Sequence, residues 1–450
     1  MKRILALVLS ASLLLSGCGA APEYTEGPGA ANAAPLQLAD PAYPAMAQRP
    51  DLSDYTDKNY SAYDKAYTAW WDDQMAQWQQ PTGYADCLTP YLDAIVPALL
   101  PDSSENQVYS PLSIYIALGM LAETAGGETQ AQILSLLGMD CLDTLRKEVS
   151  ALWNANYCDD GVSNILLADS LWLSDGLDYH SDTLDSLAKN YYAAVFQGTM
   201  GDPAYDGMLQ QWVNDQTGNL LEEQASQLSM DPGTTAALVN TVYFRSGWSE
   251  EFSPAQTSQD TFHAKDGDLT CDFMHASSSQ TYYQGESFTG ISRGFDNGCS
   301  MWFLLPDEDT APAALLRDPS LMTLFTGDNS GIQRKFLTVN AAVPKFDIAS
   351  KHELSDTLKS LGITDAFSPE TADFSALSDG DTVLSSIQHA ARMTIDEEGA
   401  TAAAFTVAMD EGAAMPPEEE TDFILNRPFV VAITTRDGLP LFLGIVNTPS

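Results

Sequence analysis

Glu397-Glu398-Gly399-Ala400-Thr401-Ala402-Ala403-Ala404-Phe405-Thr406-Val407-Ala408 is the stretch on which the reading of this chain turns. Six of its positions from Gly399 onward are Gly or Ala. Read as an extended strand, Ala400, Ala402, Ala404, Thr406 and Ala408 fall on one face, and that face is uniformly small. The run that follows, from Met409 through Pro416 and Pro417 to Glu418, Glu419 and Glu420, is polar and Pro-containing, as exposed loops are. A strand able to slot into a crowded sheet interior therefore adjoins a loop that a protease can reach. On these residues alone a plain Ala-rich surface loop fits as well.

Outward from this segment, no internal repeat or linker interrupts the chain from about Tyr84 to Ser450, which predicts one domain over 84–450. Apolar spacing predicts helices over Tyr84 to Leu100 and Pro111 to Thr124. Thr235 to Phe244 and Thr281 to Leu305 are strand-like, and strands cluster between Thr235 and Lys345 without alternating helices. That order argues for mixed or antiparallel sheets in an α+β fold. No G-x-S-x-G elbow, phosphate-binding loop, H-E-x-x-H or G-x-G-x-x-G is present, so a hydrolase reading has no motif behind it.

Several ordered motifs resemble those of the serpin family over roughly Tyr84 to Ser450. Asn106-Gln107-Val108-Tyr109-Ser110-Pro111-Leu112-Ser113-Ile114 is similar to N-x-x-x-S-P-x-S-I, and Gly126-Gly127-Glu128-Thr129 follows. Leu238 through Trp248 resembles L-x-N-x-x-Y-F-K-x-x-W. Val343-Pro344-Lys345-Phe346, Leu361 through Phe367, Asp373-Phe374-Ser375, Asn426-Arg427-Pro428-Phe429 and Pro440 through Gly444 complete the series. The resemblance implies three β-sheets surrounded by about eight or nine helices, with an exposed reactive-centre loop.

It also implies a function: suicide inhibition of serine proteases, with no catalysis and no cofactor of the chain's own. The hinge is Glu397, Glu398, Gly399, Ala400, Thr401, Ala402, Ala403 and Ala404; Ser110, Ser113, Asn240 and His389 match the shutter beneath the centre of the main sheet; Trp248 matches the breach, where insertion begins. Without the family, His389 reads as a satisfied core histidine, which is compatible. Family spacing places the reactive bond fourteen residues after Gly399, between Ala413 and Ala414, and Ala413 suits a small apolar pocket, hence an elastase-like target. A serpin-fold surface binding protein whose loop is only a substrate shares every motif. Ala400 stands where Thr or Ser is common, the Gly-Lys usual after Trp212 to Thr217 is absent, and Asn447-Thr448-Pro449 shifts the terminal Asn-Pro by one residue.

The amino-terminal end supplies an address. Lys2 and Arg3 precede an apolar run, Ile4 to Leu15, and Leu15-Ser16-Gly17-Cys18 resembles the lipobox of bacterial lipoproteins. That resemblance implies a signal peptide over 1–17, a lipid anchor at Cys18 and a secreted protein at the bacterial cell surface, facing outward; an ordinary signal with an incidental cysteine is the alternative. Gly19 to about Pro50, rich in Ala, Pro and Gly, reads as a flexible tether. Tyr60, Tyr63, Tyr67, Trp70, Trp71, Met75 and Trp78 recur at helical steps and predict an aromatic-faced helix ended by Pro81, packed on its own domain or against glycan or protein. Residues 18–83 are thus expected to be anchor, tether and helix.

The chain has 450 residues, 44% hydrophobic and 18% charged, which is ample for a core. Its 62 acidic and 20 basic residues leave a net charge of −42, which excludes nucleic acid as a partner and draws in cations. A cationic protease target fits this field; simple solubility explains it too. Besides Cys18 the cysteines are Cys87, Cys141, Cys158, Cys271 and Cys299, an odd set without C-x-x-C, and the five histidines are scattered. No disulfide framework and no metal site is expected, and the protein is expected to be a monomer.

Overall fold

Ser110-Pro111 opens the helix on which the rest of the fold is built. The Ser110 side chain accepts from the backbone N–H of Ser113, and proline at the first turn loses no hydrogen bond, so the helix starts sharply. Every residue of this helix, Pro111–Thr124, is buried, because the segment is apolar all round. The computed structural model describes residues 35–55, 60–100, 103–326, 331–400, 417 and 419–449. Cys18 of the lipid-anchor reading, Thr401, Ala402, Ala403 and Ala404 of the hinge, and Ala413 and Ala414 of the reactive bond lie outside these residues.

Two hydrogen-bonded sheets pack around the buried helix. The first has eight strands in the spatial order Leu36–Ala39, Ala193–Gly198, Asn164–Ser174, Ala236–Gly247, Gly399–Ala400, Leu384–Ile395 and Phe346–Glu353, with Cys158–Asp159 paired to Asn164–Ser174. The second has nine, running from Glu420–Ile424 through Gln333–Pro344, Gly267–Gln284, Phe288–Gly294, Ser300–Pro306, Phe429–Thr434 and Pro440–Val446 to Gln107–Tyr109, with Ser258–Ala264 beside Gly267–Gln284. The expected three sheets are two here because Gly267–Gln284 is one unbroken strand of 18 residues that pairs with Ser258–Ala264 over its first part and with Gln333–Pro344 from Phe273 to Gln284. Eleven α-helices stand among the described residues, more than eight or nine, and the excess includes the aromatic helix and two single-turn pieces, Glu222–Ala225 and Pro312–Leu315.

Local differences have local causes. The helix expected from Tyr84 begins at Leu88, because Gly83 has a positive φ and the chain turns there first. Thr281 to Leu305 is three strand segments, broken at Gly285 and at Asn297-Gly298, where Gly298 again takes a positive φ. Leu36–Ala39, expected within a flexible tether, pairs antiparallel with Ala193–Gly198 and covers that edge of the first sheet. In the aromatic helix, Tyr60–Trp78, Tyr63, Trp70 and Trp78 are buried against the body while Tyr60 and Met75 stay exposed. The five cysteines from Cys87 onward are unpaired, and no helix among the described residues is long and apolar enough to cross a membrane.

Candidate functional site

The first sheet contains a seam. Ala236–Gly247 and Leu384–Ile395 pair directly and in parallel from Leu384↔Ala236 to Ala390↔Thr241, with a register irregularity between Leu384 and Ser386. Beyond that they part. Gly399 and Ala400 stand between them, antiparallel to both, with Gly399 opposite Gly247 and Ala400 opposite Ser246 on one side and Ile395 on the other. Ala400 is buried. Two residues of an extra strand have entered, and the seam is paired shut from Ala390↔Thr241 to Leu384↔Ala236.

A tight turn feeds this entry. The Asp396 carboxylate accepts from the backbone N–H groups of Glu398 (2.9 Å) and Gly399 (3.2 Å), and Asp396 N–H donates to Gly399 O (3.1 Å). Gly399 has φ +155°, and a Cβ there would lie 2.3 Å from Ser246 O, so no other residue fits. The Glu397 carboxylate meets Lys345 Nζ at 2.7 Å and accepts from Thr257 Oγ1 at 2.7 Å. Burial opposes its charge, but these partners hold its carboxyl below the ordinary glutamate range. Trp248 clamps the turn: its backbone N–H donates to Glu398 O (3.0 Å) and its Nε1–H to Asp396 O (2.9 Å). The indole is fully buried and stacked on Phe295, with centroids 4.6 Å apart.

The other polar cluster lies under the closed part of the seam. Asn240 and His389 are register partners across it, and His389 Nδ1–H donates to Asn240 Oδ1 at 2.6 Å. Ser110 N–H donates to His389 Nε2 (3.0 Å), which fixes the neutral tautomer with its proton on Nδ1. Ser113 Oγ–H donates to Asn240 Oδ1 (2.8 Å), and Asn240 Nδ2 donates to Ser113 O (3.2 Å) and to Asp169 Oδ1 (2.8 Å). Burial, with a smaller contribution from His352, lowers the His389 imidazole to about 3. The structure thus brings Ser110, Ser113, Asn240 and His389 into one network, as it brings Glu397, Glu398, Gly399 and Ala400 to Trp248.

Two members of this site were missed in the sequence. Asp169 is fully buried, its Oδ2 has no partner, and burial raises its carboxyl to about 7 although the Asn240 bond works the other way. Its signal was available: it is the only charged residue in Asn164–Ser174. His352 pairs in register with His389, its ring 6.5 Å away, and its Nε2 contacts Val108 O at 3.2 Å. Burial lowers its pKa also.

The entered pair Gly399-Ala400, the directly paired strands farther along the seam and the buried polar network beneath them make up the site. The chain belongs to the serpin family: the family model described as "Serpin (serine protease inhibitor)" matches residues 96–449. Serpin-ZX of Arabidopsis thaliana is 29% identical over 363 residues, covering 77% of this chain and 93% of that protein. The native-state crystal structure of tengpin, a thermophilic serpin, is similar with a TM-score of 0.72 and 27% identity over 82% of this chain and 96% of that one. Human thyroxine-binding globulin shares the fold at a TM-score of 0.71 and 24% identity, over 82% of this chain and all of that one.

Proposed function

We propose that this serpin is a suicide inhibitor of elastase-like serine proteases. The observation that carries the reading is the seam with Gly399 and Ala400 already entered. Continued at the same register, Thr406, six residues past Ala400, falls opposite Asn240, six before Ser246, and opposite His389, six before Ile395. The hydroxyl of the otherwise small inward face thus meets the two polar groups that the seam's opening separates. Side chains this small enter without a clash, and hydrogen bonds to both neighbours contribute about 1 kcal/mol each, so a dozen inserted residues give about ten or more kcal/mol. Cleavage of the loop frees it to insert and to carry the acylated protease with it.

Ala413–Ala414 is the proposed reactive bond, and Asp410, Glu411 and Glu418 to Glu420 around it favour a cationic protease by steering. The lipobox resemblance supports a bacterial lipoprotein: a signal over 1–17, a lipid anchor at Cys18, residues 18–83 as the connecting region, a serpin domain over 84–450, and a monomer outside the cell. The fold alone does not separate an inhibitor from a binding protein, since human thyroxine-binding globulin shares it. The test is to mix the chain lacking residues 1–18 with an elastase and examine a denaturing gel together with the mass of the released peptide. A covalent complex and a peptide beginning at Ala414 support inhibition; complete cleavage with full protease activity favours the binding protein.

A further inference from the structure

Residues 35–55 and 60–78 contribute no strand to the seam, yet they touch what has to move when it opens. On one side of the seam, Leu384–Ile395 and Phe346–Glu353 are tied to the second sheet. Only Lys345 separates Gln333–Pro344 from Phe346–Glu353, and Ser350 Oγ and His352 Nε2 contact the backbone of Val108. Widening the seam by one strand, about 4.8 Å, therefore displaces the other side, Ala236–Gly247 with Asn164–Ser174 and Ala193–Gly198, against the second sheet. At Gly247 no further widening is needed, because Gly399 is already there. The displacement falls at the opposite end, at the level of Ala236 to Leu238.

The amino-terminal segment runs along the outside of this mobile side from one end to the other. Leu36–Ala39 pairs with Val195 to Gln197, which lie beside Leu171 to Leu173 and so at the level of Ala236 to Leu238. Tyr43 stacks on Trp153 at 5.4 Å. At the other end, Gln48 Nε2 donates to Asp159 O (3.2 Å) and Arg49 N–H to Asp160 O (2.8 Å). Arg49 Nη1 then pairs with Asp296 Oδ2 at 3.1 Å, the two side chains 12% and 11% exposed. Asp296 belongs to the second sheet's turn after Phe288–Gly294, and its own N–H donates to Gly247 O (2.9 Å). The aromatic helix covers this pin: Tyr67 and Trp70 each lie 5.7 Å from the Arg49 guanidinium, and Trp78 donates to Tyr157 O (2.9 Å) and stacks on Arg436, 3.4 Å from its ring centre.

We propose that residues 35–55 and the helix Tyr60–Trp78 form a strap that opposes opening of the seam, pinned by Arg49 on Asp296. The segment is fastened at both ends to the mobile strands, through Leu36–Ala39 and through Gln48 and Arg49 on Asp159 and Asp160, so their displacement against the second sheet falls on the Arg49–Asp296 pair. The strap sets how fast the loop enters, and through that the share of encounters ending in a trapped protease; this second part rests on the inhibitor reading.

The test compares the mature chain with Arg49→Ala, Arg49→Lys and Asp296→Asn. One readout is the rate at which a synthetic peptide with the sequence of residues 400–411 anneals into the uncleaved protein. The other is the urea midpoint of the loop-cleaved protein. The strap predicts at least tenfold faster annealing for Arg49→Ala and Asp296→Asn, a smaller gain for Arg49→Lys, and an unchanged midpoint after cleavage. Equal annealing rates, no annealing in any of the four proteins, or a cleaved form weakened as much as the uncleaved one overturns it, the last because it marks a merely structural contact. Annealing requires no protease. A chain that anneals peptide faster without its pin yet traps no elastase upholds the strap and refutes the inhibitor reading.

Discussion

Replacing Asp169 by Asn changes the pH dependence of stability in a direction the structure dictates. Asp169 Oδ1 accepts from Asn240 and Oδ2 has no partner, so an amide fits the same contacts while removing the ionisable group. Burial raises the carboxyl from an ordinary 3.8 to about 7. Below pH 4 both folded and unfolded chains carry the proton and nothing is lost. Between pH 4 and 7 the unfolded chain releases it and the folded chain keeps it, so folded stability falls as pH rises. A gap of about three pH units, at about 1.4 kcal/mol each, comes to about 4 kcal/mol. His389 acts oppositely: lowered from 6.5 to about 3, it withdraws stability as pH falls below 6.5. In the parent protein the two slopes offset each other between pH 4 and 6.5, and the Asn variant exposes the histidine slope alone. The assay is urea unfolding followed by tryptophan fluorescence at pH 4, 6 and 8. The variant is expected to gain up to about 4 kcal/mol over the parent at pH 8, shrinking below about 1 kcal/mol at pH 4. A difference that stays constant from pH 4 to 8 refutes a proton-bearing Asp169.

Other substitutions probe the seam. Gly399→Ala puts a Cβ against Ser246 O and is expected to expel the entered pair at a cost of about 1–3 kcal/mol, turning the chain from inhibitor to substrate on a denaturing gel. Trp248→Phe leaves Asp396 O without its indole donor and lowers the stability of the uncleaved form by about 1–3 kcal/mol in urea. Thr406→Val weakens the cleaved form by about 1–3 kcal/mol, leaving the His389 Nδ1–H without an acceptor there, with the uncleaved midpoint unmoved. Ala413→Arg moves reactivity from elastase to trypsin, read as the ratio of the two association rates.

What the sequence makes legible here is what short motifs and local periodicity encode. Ser110-Pro111 announces a capped helix, Gly399-Ala400 opens the small-residue run with a pair that enters the sheet, and Asn240 sits inside a recognisable motif. Asp169 escapes because its meaning depends on a partner 71 residues away: an isolated acid in an apolar strand shows that something unusual is buried without showing what it meets. The pairing of Leu36–Ala39 escapes for a related reason. Four residues carry no usable alternation, and an edge strand is defined by the neighbour that receives it. The aromatic stripe of Tyr60–Trp78 gives part of its buried face, Tyr63, Trp70 and Trp78, but wrongly includes Tyr60 and Met75 and misses Gln74, and Arg49, on which Tyr67 and Trp70 close, lies outside that helix and its periodicity.

The seam reconciles two requirements that conflict in an ordinary sheet. It has to stay shut for the lifetime of the protein and still open without stranding buried polar groups, each of which costs about 1–3 kcal/mol when left unpaired. The strands that meet there run parallel, the slightly weaker pairing, and a strand entering antiparallel to both replaces one such ladder by two stronger ones. The groups parted by opening, Asn240 and His389, are kept neutral and fully bonded by Ser110, Ser113 and Asp169, none of which lies across the seam from its partner in the way those two do. Opening parts His389 from Asn240 and, because Ser110 and Ser113 sit at the start of one helix, also draws one of the two away from that helix; a hydroxyl at position 406 is placed between them. The barrier that remains belongs to backbone pairing and to whatever ties the mobile strands to the second sheet, which is why a contact as remote from the loop as Arg49 with Asp296 governs the speed of insertion.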